Sequence, residues 1–126
     1  MSLNAYLTRS AGAIEALAAR DLSRQMRQAV DAIVAALQGG RALLVCGNGG
    51  SASDAIHIAG ELVGRFLRER RAYNVIALPA NPAVLTAWGN DFGFDTVFSR
   101  QVEAHGAAGG VLLAISTSGN SPSVLL

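Results

Sequence analysis

Two short apolar runs, each closed by a turn rich in glycine and hydroxyl side chains, restrict this chain to very few folds. Arg41-Ala42-Leu43-Leu44-Val45-Cys46 leads into Gly47-Asn48-Gly49-Gly50-Ser51, and Gly110-Val111-Leu112-Leu113-Ala114-Ile115 leads into Ser116-Thr117-Ser118-Gly119-Asn120-Ser121. Nearly uncharged runs without strict alternation are expected for strands covered on both faces, the condition of a parallel sheet between helices. A further run, Asn74-Val75-Ile76-Ala77-Leu78, lies between them, and the intervening segments are helical in pattern. The order is therefore βαβαβ, and right-handed crossovers make the sheet parallel: a flavodoxin-like α/β domain with strands in the order 2-1-3. In that order the helices after the first and third strands leave on opposite faces, so both turns border one cleft.

The turns have the composition of an anion site. Glycine lets the backbone approach a ligand, and the hydroxyls of Ser51, Ser53, Ser116, Thr117, Ser118 and Ser121 stand beside free N–H groups. Gly47 to Ala52 also fits G-x-G-x-x-A, the dinucleotide fingerprint, but the next strand runs into Pro79-Ala80-Asn81 with no acid placed to bind a ribose. A Walker loop is excluded because the chain has no lysine. Ordinary strand-to-helix turns remain the alternative for either loop taken singly.

Leu22, Met26, Val30, Ile33, Val34 and Leu37 recur at helical spacing and stop at Gly39-Gly40, after an earlier helical stretch over residues 3–19. Two helices before the first strand carry more apolar surface than one sheet needs. The stretch 1–38 is expected to pack against another subunit, or else to cover the domain's own sheet. Beyond the first turn, residues 52–66 read as a helix, Arg65 to Arg71 as its solvated end, and Pro82 to Trp88 as a short helical turn. A loop over residues 89–94 follows, then a helix over 96–105 capped by Asp95. Residues 1–126 read as a single domain left incomplete at its C-terminus, since Pro122 opens a helix that four residues cannot finish.

A net charge of +1 gives no drive toward nucleic acid or membrane. The single cysteine, Cys46, excludes an internal disulfide, and without a secretory signal the expected compartment is the cytoplasm. All 10 basic residues are arginine, so Schiff-base chemistry is excluded and proton transfer falls to Asp, Glu, His or a metal-bound water.

His57 and Glu61 are four apart on the helix that starts at the first turn, with Asp54 one turn earlier. Both project from one face, as two ligands of a zinc or similar ion would, and the carboxylate could instead move a proton; a solvated His beside a surface Glu has the same spacing. The pair stands roughly 9–15 Å from the anion turn at 1.5 Å per residue, the reach of a sugar phosphate. Asn90 and Asp91 could bind sugar hydroxyls, though both also favour turns. His105, at a helix end, reads as structural, and Trp88, Phe92, Phe94 and Phe98 as core or interface residues.

CGNGGS at 46–51, DAIHIAGEL at 54–62, GNDFGFD at 89–95, FSRQVEA at 98–104 and LLAISTSGNS at 112–121 closely resemble the phosphoheptose isomerases of the sugar isomerase (SIS) fold. The resemblance implies a cytoplasmic, zinc-binding homotetramer that converts sedoheptulose 7-phosphate to D-glycero-D-manno-heptose 7-phosphate, for lipopolysaccharide heptose. By matching motif, Asn48, Gly49, Gly50, Ser51, Asn90 and Asp91 would contact the sugar, and Ser116, Thr117, Ser118 and Ser121 would hold the phosphate. His57 and Glu61 match two metal ligands, and Glu61 also matches the substrate-binding catalytic base that works through an enediol. A Gln and a His that complete that set belong to a C-terminal segment beyond this sequence, so the chain alone is expected to be inactive or weakly active.

Gly60 and Gly110 stand where relatives often carry acids; a mid-helix glycine costs about 1 kcal/mol relative to alanine, and Glu61 is intact. Two other readings share the fold: a non-catalytic SIS protein that binds a replication initiator, and a sugar-phosphate sensing module. The initiator-binding relatives lack an acid at the position of Glu61, and no DNA-binding motif lies within the 126 residues.

Overall fold

A computed structural model describes residues 2–126. Contacts divide the chain into two compact units, one ending at Asp31 and one running from Ala32 to Leu126. The first unit contains helix α1 (Leu3–Ala18), opened by the Ser2 hydroxyl accepting from the Ala5 N–H, and the start of α2 (Ser23–Gln38). α1 buries none of its residues, and Leu3, Ile14 and Leu17 are 71%, 69% and 57% exposed.

The second unit holds the sheet. Strands β1 (Leu43–Gly47), β2 (Val75–Ala77) and β3 (Val111–Ile115) form a parallel sheet in the order β2-β1-β3, as the pattern of the three runs requires. Leu43 pairs with Val75 on one side and with Val111 on the other. All of β1 is buried because it lies centrally, and alternate side chains serve opposite layers. Leu43 and Val45 pack with Leu37, Ala55, Ala59 and Val75, under the end of α2 and helix α3 (Gly50–Val63). Ala42, Leu44 and Cys46 pack with Leu78, Val97 and Phe98, under α4 (Pro82–Phe92) and α5 (Val97–His105). The last element, α6 (Pro122–Leu125), adds Val124 to this second layer.

α2 stops at Gln38, before the glycine pair, and its Ile33 and Leu37 cover the sheet while Met26, Val30 and Val34 are exposed. Three local expectations are corrected. α4 runs on to Phe92, so Asn90 and Asp91 lie in its last turn and not in a loop; Trp88 stacks on Phe92 at 4.2 Å, which extends the helix past Gly89. Asp95 does not cap α5: it sits inside a 3-10 turn, Phe94–Thr96, and α5 starts without a side-chain cap. α3 ends at Val63, so the segment 65–71 is irregular rather than a helix end, and only Arg70 turns back onto α3.

Candidate functional site

The first loop is shaped by two glycines. A Cβ on Gly47 would lie 2.8 Å from the Cβ of Ser51, so only glycine lets the strand end pass this close to the start of α3. Gly49 then takes φ of 56°, a left-handed conformation, and caps α3 without a side-chain acceptor. Asn48 is half-buried, Gly49 and Gly50 are exposed, and Ser51 is 8% exposed with its Cβ against Gly47. Burial pushes the Cys46 thiol pKa up, consistent with a small core residue.

The second loop is a cluster of hydroxyls. Ser116 Oγ lies 3.4 Å from Ser118 Oγ and 3.2 Å from Ser121 Oγ, and accepts from the Gly119 N–H at 3.1 Å. Ser118 Oγ accepts from the Asn120 N–H. Thr117 and Ser118 are exposed, so the cluster combines rotatable O–H donors with backbone donors at the surface.

Asn48 Nδ2 donates to Ser123 Oγ at 2.9 Å, across 75 residues of sequence. Ser123 is buried at 4% exposure, so this bond ties the first loop to the start of α6 just beyond the second loop. The two turns therefore meet at the C-terminal edge of the sheet, where β1 and β3 are neighbours. The 3-10 turn Phe94–Thr96 packs on α6, which brings the α4–α5 corner to the same edge. Near that corner Asn90 Nδ2 donates to Asp91 Oδ1 at 2.8 Å, and both residues are exposed. Among the described residues, no hydrogen bond joins this pair to either loop.

His57 and Glu61 point from one face of α3. His57 Nε2 is 3.9 Å from Glu61 Oε1, with the side chains 77% and 38% exposed. Two ligand atoms each about 2 Å from a tetrahedral ion stand about 3.3 Å apart, so the two side chains would have to close by roughly half an ångström to share one. Among the described residues no third His, Cys, Asp or Glu joins them. The pair fits part of a metal site and not the whole of one. Asp54 and His105 are exposed and outside it.

Two residues escaped the sequence reading. Ser123 follows the motif it supports, and nothing local marks its bond to Asn48. Arg70 was one cation among several, yet its guanidinium lies over Tyr73 at 4.4 Å and donates to carbonyls at the end of α3.

Comparison with known proteins gives one consistent result. The phosphoheptose isomerase of Bradyrhizobium sp. (strain ORS 278) is 55% identical over 121 residues, covering 95% of this chain and 61% of that protein. The phosphoheptose isomerase of Citrifermentans bemidjiense is 58% identical over 106 residues, 84% of this chain and 55% of its own. Among solved structures, that of a phosphoheptose isomerase from Francisella tularensis superposes with a TM-score of 0.87 at 39% identity, covering 98% of this chain and 64% of that one. The phosphoheptose isomerase of Neisseria gonorrhoeae gives a TM-score of 0.83 at 42% identity, covering 98% and 63%. The chain thus spans less than two thirds of the length of these relatives. The SIS domain family matches residues 5–126, and with the parallel sheet, the strand order and the paired loops already in place, the chain belongs to the SIS domain family.

Proposed function

We propose that this chain is the sugar-binding and proton-transferring part of a phosphoheptose isomerase, which interconverts sedoheptulose 7-phosphate and D-glycero-D-manno-heptose 7-phosphate in the cytoplasm for lipopolysaccharide heptose. The observation that carries the reading is the position of Glu61: it rides on the helix that starts at the first loop, and that loop is bonded through Asn48 to the residue just past the second. The relatives' names support the same chemistry.

In this reading Ser116, Thr117, Ser118 and Ser121 hold the phosphate with hydroxyl and backbone donors, which fixes one end of the open-chain ketose. Asn48, Gly49, Gly50 and Ser51, with Asn90 and Asp91, orient the sugar hydroxyls. Glu61 removes a proton from C1 as the C2 oxygen gains one, leaving an enediol; it then returns the proton to C2 as the C1 hydroxyl gives up its own, so that the carbonyl moves from C2 to C1. His57 and Glu61 would hold a zinc ion together with ligands from outside this sequence, and such an ion supplies charge to polarise the sugar carbonyl. The exposed apolar residues of α1 would be covered in a homotetramer. Among the described residues no helix is long and apolar enough to cross a membrane.

The test uses the full-length protein. Glu61→Gln keeps size and polarity but cannot carry the proton, so turnover should fall by about three orders of magnitude or more, within the usual worth of a positioned acid–base group. Affinity for the sugar phosphate, measured by calorimetry, should stay close to that of the parent. Ser118→Ala should do the reverse, weakening binding by about 1 kcal/mol for one lost hydrogen bond. Turnover near the parent's in Glu61→Gln would remove Glu61 from the catalytic role.

A further inference from the structure

Glu61 sits in the last turn of α3, the part of a helix least able to hold its own shape. The carbonyls of the final turn have no intrahelical partner. Here Gly60 opens that turn, and the cap residue Gly64 has φ of −67°, so the usual left-handed closure is not made. The Glu61 side chain is itself partly exposed, so packing alone does not fix it.

Arg70 closes this end. Its Nη2 donates to the Glu61 carbonyl at 2.9 Å, and Nη1 lies within bonding distance of three carbonyls: Leu62 at 2.8 Å, Arg71 at 3.0 Å and Gly64 at 3.2 Å. The guanidinium is flattened against the Tyr73 ring at 4.4 Å, and the Tyr73 N–H reaches the Leu62 carbonyl at 3.4 Å. None of the ion pairs among the described residues includes Arg70, and the hydrogen bonds of its two terminal nitrogens go to backbone carbonyls. A planar fork with fixed donors can span several carbonyls at once, and a lysine ammonium, a single point on a flexible stem, cannot.

We propose that Arg70 is a positioning residue for the proton-transfer step: it clamps the last turn of α3 and so sets where the Glu61 carboxylate stands. The proposal rests on the reading of Glu61 as the base. Arg70 touches no substrate, and its effect passes entirely through the backbone of residues 61–64. A side chain that must lie within a fraction of an ångström of a carbon-bound proton is sensitive to such a clamp, because a shift of about 1 Å costs about 10²-fold in rate.

The experiment compares Arg70→Lys and Arg70→Lys/Gly60→Ala with the full-length parent in steady-state kinetics with sedoheptulose 7-phosphate, alongside amide hydrogen exchange. Arg70→Lys is expected to lower kcat by about tenfold or more while KM changes by less than about threefold, with faster exchange confined to the end of α3. Gly60 faces open space, so alanine fits there and stiffens the same turn; adding Gly60→Ala should recover much of the lost kcat. Unchanged kcat in Arg70→Lys would overturn the proposal, as would a double variant that regains thermal stability without regaining kcat. Glu61→Gln, run in parallel, separates the two levels of argument. If it retains turnover, the reading of Glu61 as base falls and the clamp loses its purpose; if it is dead while Arg70→Lys is fully active, only the clamp is wrong.

Discussion

Gly47 shows how one residue decides the geometry of the site. Its missing side chain lets the end of β1 touch the first turn of α3, where a Cβ would lie 2.8 Å from both Ser51 Cβ and the Ser51 carbonyl oxygen. Neither contact is with a flexible side-chain tip, so Gly47→Ala must push strand end and helix start apart. We expect a loss of about 1–3 kcal/mol, the usual cost of overpacking, read from the urea midpoint, together with weaker sugar-phosphate binding because the loop moves. An unchanged midpoint would show that the loop relaxes freely. The glycines at 47, 49 and 50 were visible in the sequence as a loop signal, but their separate duties were not. Gly47 provides clearance and Gly49 provides a positive φ, and only coordinates distinguish the two. The same holds for Ser51, which the motif placed among substrate contacts and which is buried.

At the scale of elements, strands and their order were legible because a buried parallel strand leaves a plain mark, an unbroken apolar run ended by glycine. Helix ends were less so. Asn90 and Asp91 look like turn formers, yet α4 continues through both because Trp88 and Phe92 stack along its face, and a contact between side chains four apart outweighs a weak local preference. Long-range bonds were not legible at all, since nothing in sequence pairs Asn48 with Ser123. That bond is the direct link between the two loops, so its loss belongs to both. Ser123→Ala leaves Asn48 short of one partner at a half-buried site, for a cost of about 1 kcal/mol in stability, and should weaken sugar-phosphate binding severalfold. Calorimetric titration checks it; binding equal to the parent's would mean that the loops keep their places independently.

The whole molecule shows more apolar surface than a solitary domain needs. Leu3, Ile14 and Leu17 of α1 are more than half exposed, and on α2 Met26 is 63% exposed. We propose that residues 1–38 serve subunit packing, and Ile33 and Leu37 show that the end of α2 also covers the sheet. If the α1 surface holds subunits together, Ile14→Arg in the full-length protein should lower the mass seen by light scattering below the parent's, with the sheet domain still folded by circular dichroism. A mass unchanged from the parent's would assign assembly to another surface. The sugar, the metal and the subunit count rest on resemblance and not on residue geometry: among the described residues no third His, Cys, Asp or Glu joins His57 and Glu61.

The central claim is that Glu61 moves a proton between C1 and C2 of a ketose phosphate bound across the two loops. The direct measurement is NMR of sedoheptulose 7-phosphate in D₂O with the full-length protein, following deuterium at C1. The account predicts steady incorporation by the parent and none above background with Glu61→Gln, although the variant still binds the sugar phosphate. Incorporation by Glu61→Gln at the parent's rate, or none by the parent itself while it binds the sugar, would contradict it.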